Sequence, residues 1–398
     1  MGSPAARAPD RLRALAFEGR AHGPWQLYAK SMNPAQLSAH ARAAALLALA
    51  LALGPPARAA SYPGESEGDF VVDHFQFQSG ESLSGVRLHY TTLGTPRRDS
   101  TGRINNAVLL LHGTSSTSKQ FFSPTMGPEL FGPGQPLDAA RYYVIIPDGL
   151  GRGGSTKPSD GLHAKFPRYG YGDVVNAQHL LVTQKLGVLH LRLILGTSMG
   201  GMQTWMWAEK YPDQLDAAMP IACQPLAVSG RNLLFRRILT QAIRHDPDWH
   251  EGEYRTQPSY WLYTAPLWPM MLEGAAHLQE EGPTRQAALG LYDAMVESAR
   301  KNYDANDFLY WVESSWDYDP QPELGKITAK VMAVNFADDA VNPAELPLTG
   351  TLVRSVPGAR FVLIPAGDDT IGHLTLGRAA VWVPYLEELL RSLPPLKP

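Results

Sequence analysis

Two stretches near the start of the ordered pattern, Phe70-Val71-Val72 and Val86-Arg87-Leu88-His89-Tyr90, alternate apolar and polar positions and predict an opening antiparallel pair. The rhythm then changes. Short apolar runs at residues 107–111, 142–146, 191–195, 217–221, 330–336 and 360–364 predict buried strands. Segments with helical periodicity at 174–186, 199–211 and 381–392 fall between or after them. Such alternation defines an α/β class, a mostly parallel sheet with helices on both faces. The interval 226–324 breaks the rhythm with helical patterns, several prolines and five of the nine tryptophans, Trp249, Trp261, Trp268, Trp311 and Trp316. It predicts a helical cap inserted between late strands. The expected organisation is a leader (1–59), a first core part (60–225), the cap (226–324) and a last core part (325–398).

The most informative chemistry follows the run at 191–195. Gly196-Thr197-Ser198-Met199-Gly200-Gly201 reads as a strand, a glycine-pinched turn around a serine, and a helix: the pattern of a nucleophile elbow. A serine alcohol needs an adjacent base, and that base a carboxylate that orients it. With such an elbow the chain order is serine, acid, histidine. Of twelve histidines only His245, His250, His277 and His373 follow Ser198. His373 alone lies near the C-terminus, in the loop after the 360–364 strand, and is the candidate base. The acid belongs after the 330–336 strand, where Asp338 and Asp339 compete. Asp339 is preferred for its Asp-x-x-x-Pro spacing to Pro343, which resembles the acid loop of related hydrolases. Expected oxyanion donors are the backbone N–H groups of Met199, at a helix start, and Thr114, in His112-Gly113-Thr114 after the first central strand. His112 is expected to be a structural turn residue.

Composition narrows the rest. Ala43 to Leu53 is an unbroken Ala/Leu run, preceded by Arg42 and followed by Ala57-Arg58-Ala59, the plan of a cleaved export signal. It is short for a membrane span, so no stable anchor is expected after cleavage. Translation could start at Met1 or Met32. The expected location is periplasmic or secreted, and cytoplasmic if the leader is not functional. Cleavage at Ala59 removes seven basic and two acidic residues, taking the net charge from −3 to −8. An acidic chain without a basic tract does not suit nucleic acid. The single cysteine, Cys223, allows no internal disulfide and reads as a buried small residue. Gly149-Leu150-Gly151-Arg152-Gly153-Gly154 matches a dinucleotide-binding pattern, but the proline-containing loop after it replaces the helix that motif requires. Neither cofactor nor metal is expected.

Three stretches resemble the homoserine acetyltransferase branch of the α/β-hydrolase superfamily. They are Gly196 to Gln203 with Asp173-Val174-Val175-Asn176-Ala177-Gln178; Gln241-Ala242-Ile243-Arg244-His245-Asp246-Pro247-Asp248-Trp249 with Gly252-Glu253-Tyr254; and the loops around Asp339 and His373. The resemblance implies the α/β-hydrolase fold, acylation of Ser198 with His373 as base and Asp339 as its orienter, and a homodimer formed through the cap. One departure stands out. The cap arginine that the family uses to grip an amino-acid carboxylate has no counterpart in Gln257 to Trp268, and Pro266 falls near its place. Arg231, Arg236 and Arg237 are the candidates to compensate. Aromatic residues in that stretch point to a more apolar pocket. Together these features favour a hydrolase of small-molecule carboxylic esters, with thioesters or amides as further candidates, over an O-acyltransferase or a catalytically silent binding module on the same fold.

The leader generates its own test. Intact mass of the protein from an exporting host is expected to place the mature N-terminus at or near Ala60; retention of residues 43–59 in a membrane fraction would contradict this.

Overall fold

The computed structural model describes residues 61–346 and 348–396, so the leader reading lies outside the described residues. Eight strands form one sheet: β1 (Ser66–Gln76), β2 (Ser82–Leu93), β3 (Ala107–Leu111), β4 (Tyr143–Pro147), β5 (Leu193–Thr197), β6 (Ala217–Ile221), β7 (Lys330–Phe336) and β8 (Arg360–Ile364). Their order is β1-β2-β4-β3-β5-β6-β7-β8. β1 and β2 pair antiparallel, β2 meets β4 antiparallel, and every pair from β4 to β8 is parallel.

The apolar runs behave as a sheet buried on both faces requires, with successive side chains dividing between two cores. Val108, Leu110, Leu193, Leu195, Ala217, Met219 and Ile221 point to one face, where they meet Trp382 and Leu386. Ala107, Leu109, Leu111, Ile194 and Ala218 point to the other, against Tyr171, Trp205 and Trp207. The helices are α1 (Gly127–Phe131), α2 (Tyr171–Leu180), α3 (Met199–Lys210), α4 (Gly230–Arg244), α5 (Leu267–Leu272), α6 (Ala275–Glu281), α7 (Arg285–Asn302), α8 (Ala305–Glu313), α9 (Leu348–Arg354) and α10 (Ala379–Arg391). α1 and α10 cover the first face, α2, α3 and α9 the second.

Between β6 and β7 lie α4 to α8, with a core of their own built from Leu239, Ile243, Trp249, Trp261, Trp268, Phe308 and Trp311. The rings of Trp261, Trp268, Tyr303 and Trp311 all contact Phe308, with centroids 5.2 to 5.9 Å apart. Trp261 and Trp268 are thus core residues of this inserted helical layer, and the aromatic lining read from residues 257–268 is not what they provide. The layer's hydrogen bonds also explain its most specific sequence stretch. Asp246 accepts from the N–H of Trp261 at 2.9 Å, the indole of Trp249 donates to Asn306 at 2.9 Å, and the Tyr254 hydroxyl donates to Asp304 at 2.8 Å. These residues hold the layer together.

Candidate active site

Ser198 stands between the last residue of β5 and the first of α3, with φ 54° and ψ −115°, a conformation that costs a non-glycine residue on the order of 1–3 kcal/mol. Its neighbours hold it there. A Cβ on Gly196 would lie 2.0 Å from the Gly200 carbonyl oxygen, and a Cβ on Gly200 would lie 2.0 Å from that of Leu111. Only hydrogen fits at either position, and the backbones of β5, α3 and β3 close to contact. The N–H of Ser198 donates to Ile221 on β6 at 2.8 Å, fixing the turn to the sheet.

The loops after β7 and β8 bring the predicted partners. Nε2 of His373 lies 2.8 Å from Ser198 Oγ, and Nδ1 of His373 lies 2.7 Å from Asp339 Oδ2. His373 and Asp339 are buried, at 2% and 1% exposure, whereas Ser198 is partly exposed. With Nδ1–H donating to the carboxylate, Nε2 is free to take the serine proton. Asp339 also accepts at Oδ1 from the N–H groups of Val341 (2.7 Å) and Asn342 (3.1 Å), and at Oδ2 from the Asn342 side chain (2.9 Å). Burial pushes this carboxyl up, but the His373 ring facing it and the Asn342 donors outweigh burial and hold it below the usual carboxylate range.

Asp338 plays a different part. Its Oδ2 accepts from the N–H of Gly372 at 2.8 Å, tying the acid loop to the residue before His373. On geometry the acid beside the histidine is Asp339.

The turn after β3 lies against the serine. A Cβ built on Gly113 would be 3.6 Å from Ser198 Cβ. Thr114, next along, is buried, and neither its N–H nor that of Met199 donates to a backbone carbonyl among the described residues. Both N–H groups are therefore left without a backbone acceptor. His112 braces the turn: Nδ1 donates to the Gly113 carbonyl at 2.8 Å and Nε2 accepts from the Gly149 N–H at 2.9 Å. Burial lowers its pKa to about 4, so the ring is neutral and the tautomer is set by these two bonds.

Two contributors escaped the sequence reading. The Gln120 side chain accepts from the N–H of Gly113 at 3.0 Å and donates to Thr197 Oγ1 at 2.8 Å, bridging the turn to the end of β5. No local pattern marks it. Asn342, inside the Asp-x-x-x-Pro spacing, also donates to the carbonyl of Ala222 at 2.9 Å, and Ala222 has φ 54°. Here the spacing is a signal, and the last of its three intervening residues carries the bond.

The Gly149–Gly154 segment forms a loop in which Asp148 accepts from the N–H groups of Ser118 (2.7 Å) and Gly154 (2.8 Å); the next helical piece is the single turn Pro158–Asp160. No helix follows to hold a pyrophosphate. Among the described residues, one trio could in principle hold a cation: Glu273, His277 and Glu281 place ligand atoms within 4.8 Å of one another, with the His277 ring already bonded to Glu273 at 3.0 Å. A pocket of about 410 Å³ beside the acid loop is lined by Met202, Leu226, Val228, Arg231, Val341 and Asn342 among others, and not by Ser198 or Thr114.

Known proteins place this geometry in a class. Residues 106–262 match the family described as alpha/beta hydrolase fold. The acetyl esterase MekB superposes with a TM-score of 0.70 at 26% identity, covering 82% of this chain and 97% of that one. The chain belongs to the α/β-hydrolase superfamily.

A probable acyltransferase of Methanothermobacter thermautotrophicus is 31% identical over 77% of this chain and 91% of that protein, and a homoserine O-succinyltransferase of Magnetococcus marinus is 32% identical over 65% and 74%. Within the superfamily the protein is a member of the homoserine acetyltransferase-like branch, which also has esterases among its relatives.

The depressed carboxyl of Asp339 yields a pH prediction. A group whose folded-state pKa lies below its unfolded value stabilises the fold fully above the unfolded value, about 4, and loses that contribution as pH falls through the folded one. Denaturant midpoints from pH 3 to 7 are expected to show wild type above Asp339→Asn near neutrality, with the gap closing below pH ~4. A gap constant across the series would contradict the assignment.

Proposed function

We propose that this protein is a serine hydrolase of carboxylic esters working through an acyl-enzyme on Ser198. The observation that carries the proposal is the unbroken chain from Ser198 Oγ through both nitrogens of His373 to the buried, multiply bonded carboxylate of Asp339. In the first half-reaction His373 takes the Ser198 proton as Oγ attacks the ester carbonyl. The N–H groups of Met199 and Thr114 receive the oxyanion, and His373 returns the proton to the departing alcohol. Water then repeats the sequence on the acyl-enzyme. Asp339 keeps its charge throughout and stabilises the imidazolium.

The runner-up reading is O-acyl transfer, which differs only in the second nucleophile. An alcohol outcompetes water only where the pocket holds it at high effective concentration. Supporting water is the state of two of the three candidate arginines, Arg231 and Arg236. Residues 257–268 offer no arginine, Arg231 donates to the Ala340 carbonyl, and Arg236 is committed to Asn232 and the Val312 carbonyl. The export-like leader points the same way, because acetyl coenzyme A is a cytoplasmic metabolite.

Kinetics on short acyl esters test both levels. Ser198→Ala or His373→Ala is expected to lower kcat by on the order of 10⁴ to 10⁶, and Asp339→Asn somewhat less. With acetyl coenzyme A and homoserine supplied, no O-acetylhomoserine is expected. Normal turnover in Ser198→Ala would overturn the mechanism, a larger loss in Asp338→Asn than in Asp339→Asn would move the acid, and efficient O-acetylhomoserine formation would establish acyl transfer instead.

A further inference from the structure

Arg152, in the glycine-rich loop after β4, is placed at the seam between the turn that flanks Ser198 and the inserted helical layer. Its Nε donates to the Ser116 carbonyl at 3.1 Å, and the N–H of Ser116 donates to Gly113 at 3.1 Å, so two hydrogen bonds separate it from the residue lying on Ser198. From the other side comes α8: the Arg152 guanidinium carbon sits 3.5 Å from the centroid of the Trp311 ring, at stacking distance. Stacking occupies the face of a guanidinium and leaves its edge N–H groups free for a planar acceptor.

That edge is unspent. Among the described residues Arg152 makes no ion pair, and its two terminal amino groups donate to nothing. The acids that feel its charge are engaged elsewhere. Asp148 holds Ser118 and Gly154, and Asp307 accepts from the N–H and hydroxyl of Ser159 at 2.9 and 2.7 Å. Burial draws the Arg152 guanidinium down from its ordinary value while the charges of Asp307 and Asp148 oppose that shift, and the side chain keeps partial exposure. A second unpartnered donor lies in contact with it, since the indole N–H of Trp311 is buried and bonds to nothing. A buried indole N–H and the half-buried edge of a guanidinium, side by side and both without an acceptor, ask for one.

We propose that Arg152 is the anion-binding position of the ester pocket, receiving a carboxylate carried by the substrate. The proposal rests on the hydrolase reading above and names its substrate class. It selects a simple anion over an amino acid, because the carboxylates near Arg152 that would hold an ammonium group are both committed to core hydrogen bonds. The position also differs from the cap arginine of the acyltransferase branch: this cation comes from the core, on the loop after β4.

Matched ester pairs test it: monomethyl glutarate against methyl pentanoate, and 3-acetoxypropanoate against propyl acetate. The readout is the ratio of kcat/KM within each pair, which normalises each variant against itself. Wild type is expected to favour the charged member of at least one pair by about tenfold or more, the scale of one charge-assisted hydrogen bond. Arg152→Gln is expected to abolish that preference and Arg152→Lys to keep part of it. No preference in wild type, or one that survives in Arg152→Gln, would overturn the proposal. Calorimetry keeps this separate from turnover. Ser198→Ala protein is expected to bind monomethyl glutarate, and the added Arg152→Gln change to weaken that binding about tenfold. Arg152-dependent binding without hydrolysis of any ester would overturn the hydrolase reading and leave the anion site standing; hydrolysis with no such binding would do the reverse.

Discussion

Three backbones meet where β5 turns into α3, and almost everything at this site depends on how closely they meet. The Leu111 carbonyl at the end of β3, the Gly200 peptide in the first turn of α3 and Gly196 in β5 approach until no Cβ fits between them. That contact forces Ser198 into its left-handed conformation and lifts Oγ above the ends of the strands. The strain is sustained by an eight-stranded sheet whose interior strands are buried on both faces, and by the bond from Ser198 to β6. A looser packing of α3 on β3 would let the serine relax and lose its line to His373.

The partners reach Ser198 because the neighbouring parallel strands end at the same edge. β7 and β8 each release a loop there, and the loops are stitched before the bonds among Ser198, His373 and Asp339 are counted. Asp338 holds Gly372, and Asn342 joins Asp339 to the strained Ala222 after β6. On the opposite side Gln120 and neutral His112 hold the Gly113 turn to β5 and to the loop after β4. Precise distances at Ser198 are therefore set in part by residues outside the Ser198–His373–Asp339 chain of bonds.

What could be read from the sequence follows from which constraints are local. The central strands are continuous apolar runs and fall within two residues of expectation, and Ser198, His373 and the acid loop stand at the ends of such runs, where chain order alone selects them. Boundaries set by tertiary contacts were missed. α2 begins at Tyr171, earlier than its apolar periodicity, because Asp173 and Asp317 satisfy its first N–H groups, and it closes in a wide turn at Leu181–Lys185. α1 and α9 are too short to show a period. Composition cannot say which way a ring faces, so whether Trp261 and Trp268 line a pocket or fill the layer's core is legible only in the structure, which puts them in that core. Arg152 was passed over inside a glycine motif read for its glycines; its significance lies in Trp311, far along the chain.

The mechanism stands or falls on a covalent bond to Ser198. Rapid quenching of the wild-type enzyme during turnover of an activated acetate ester, followed by peptide mass spectrometry, measures it directly. The mechanism predicts an acetyl adduct on Ser198 that accumulates during turnover, decays as substrate is exhausted, and is absent from Ser198→Ala. Sustained hydrolysis with Ser198 unmodified, or with the acetyl group on another side chain, would contradict it.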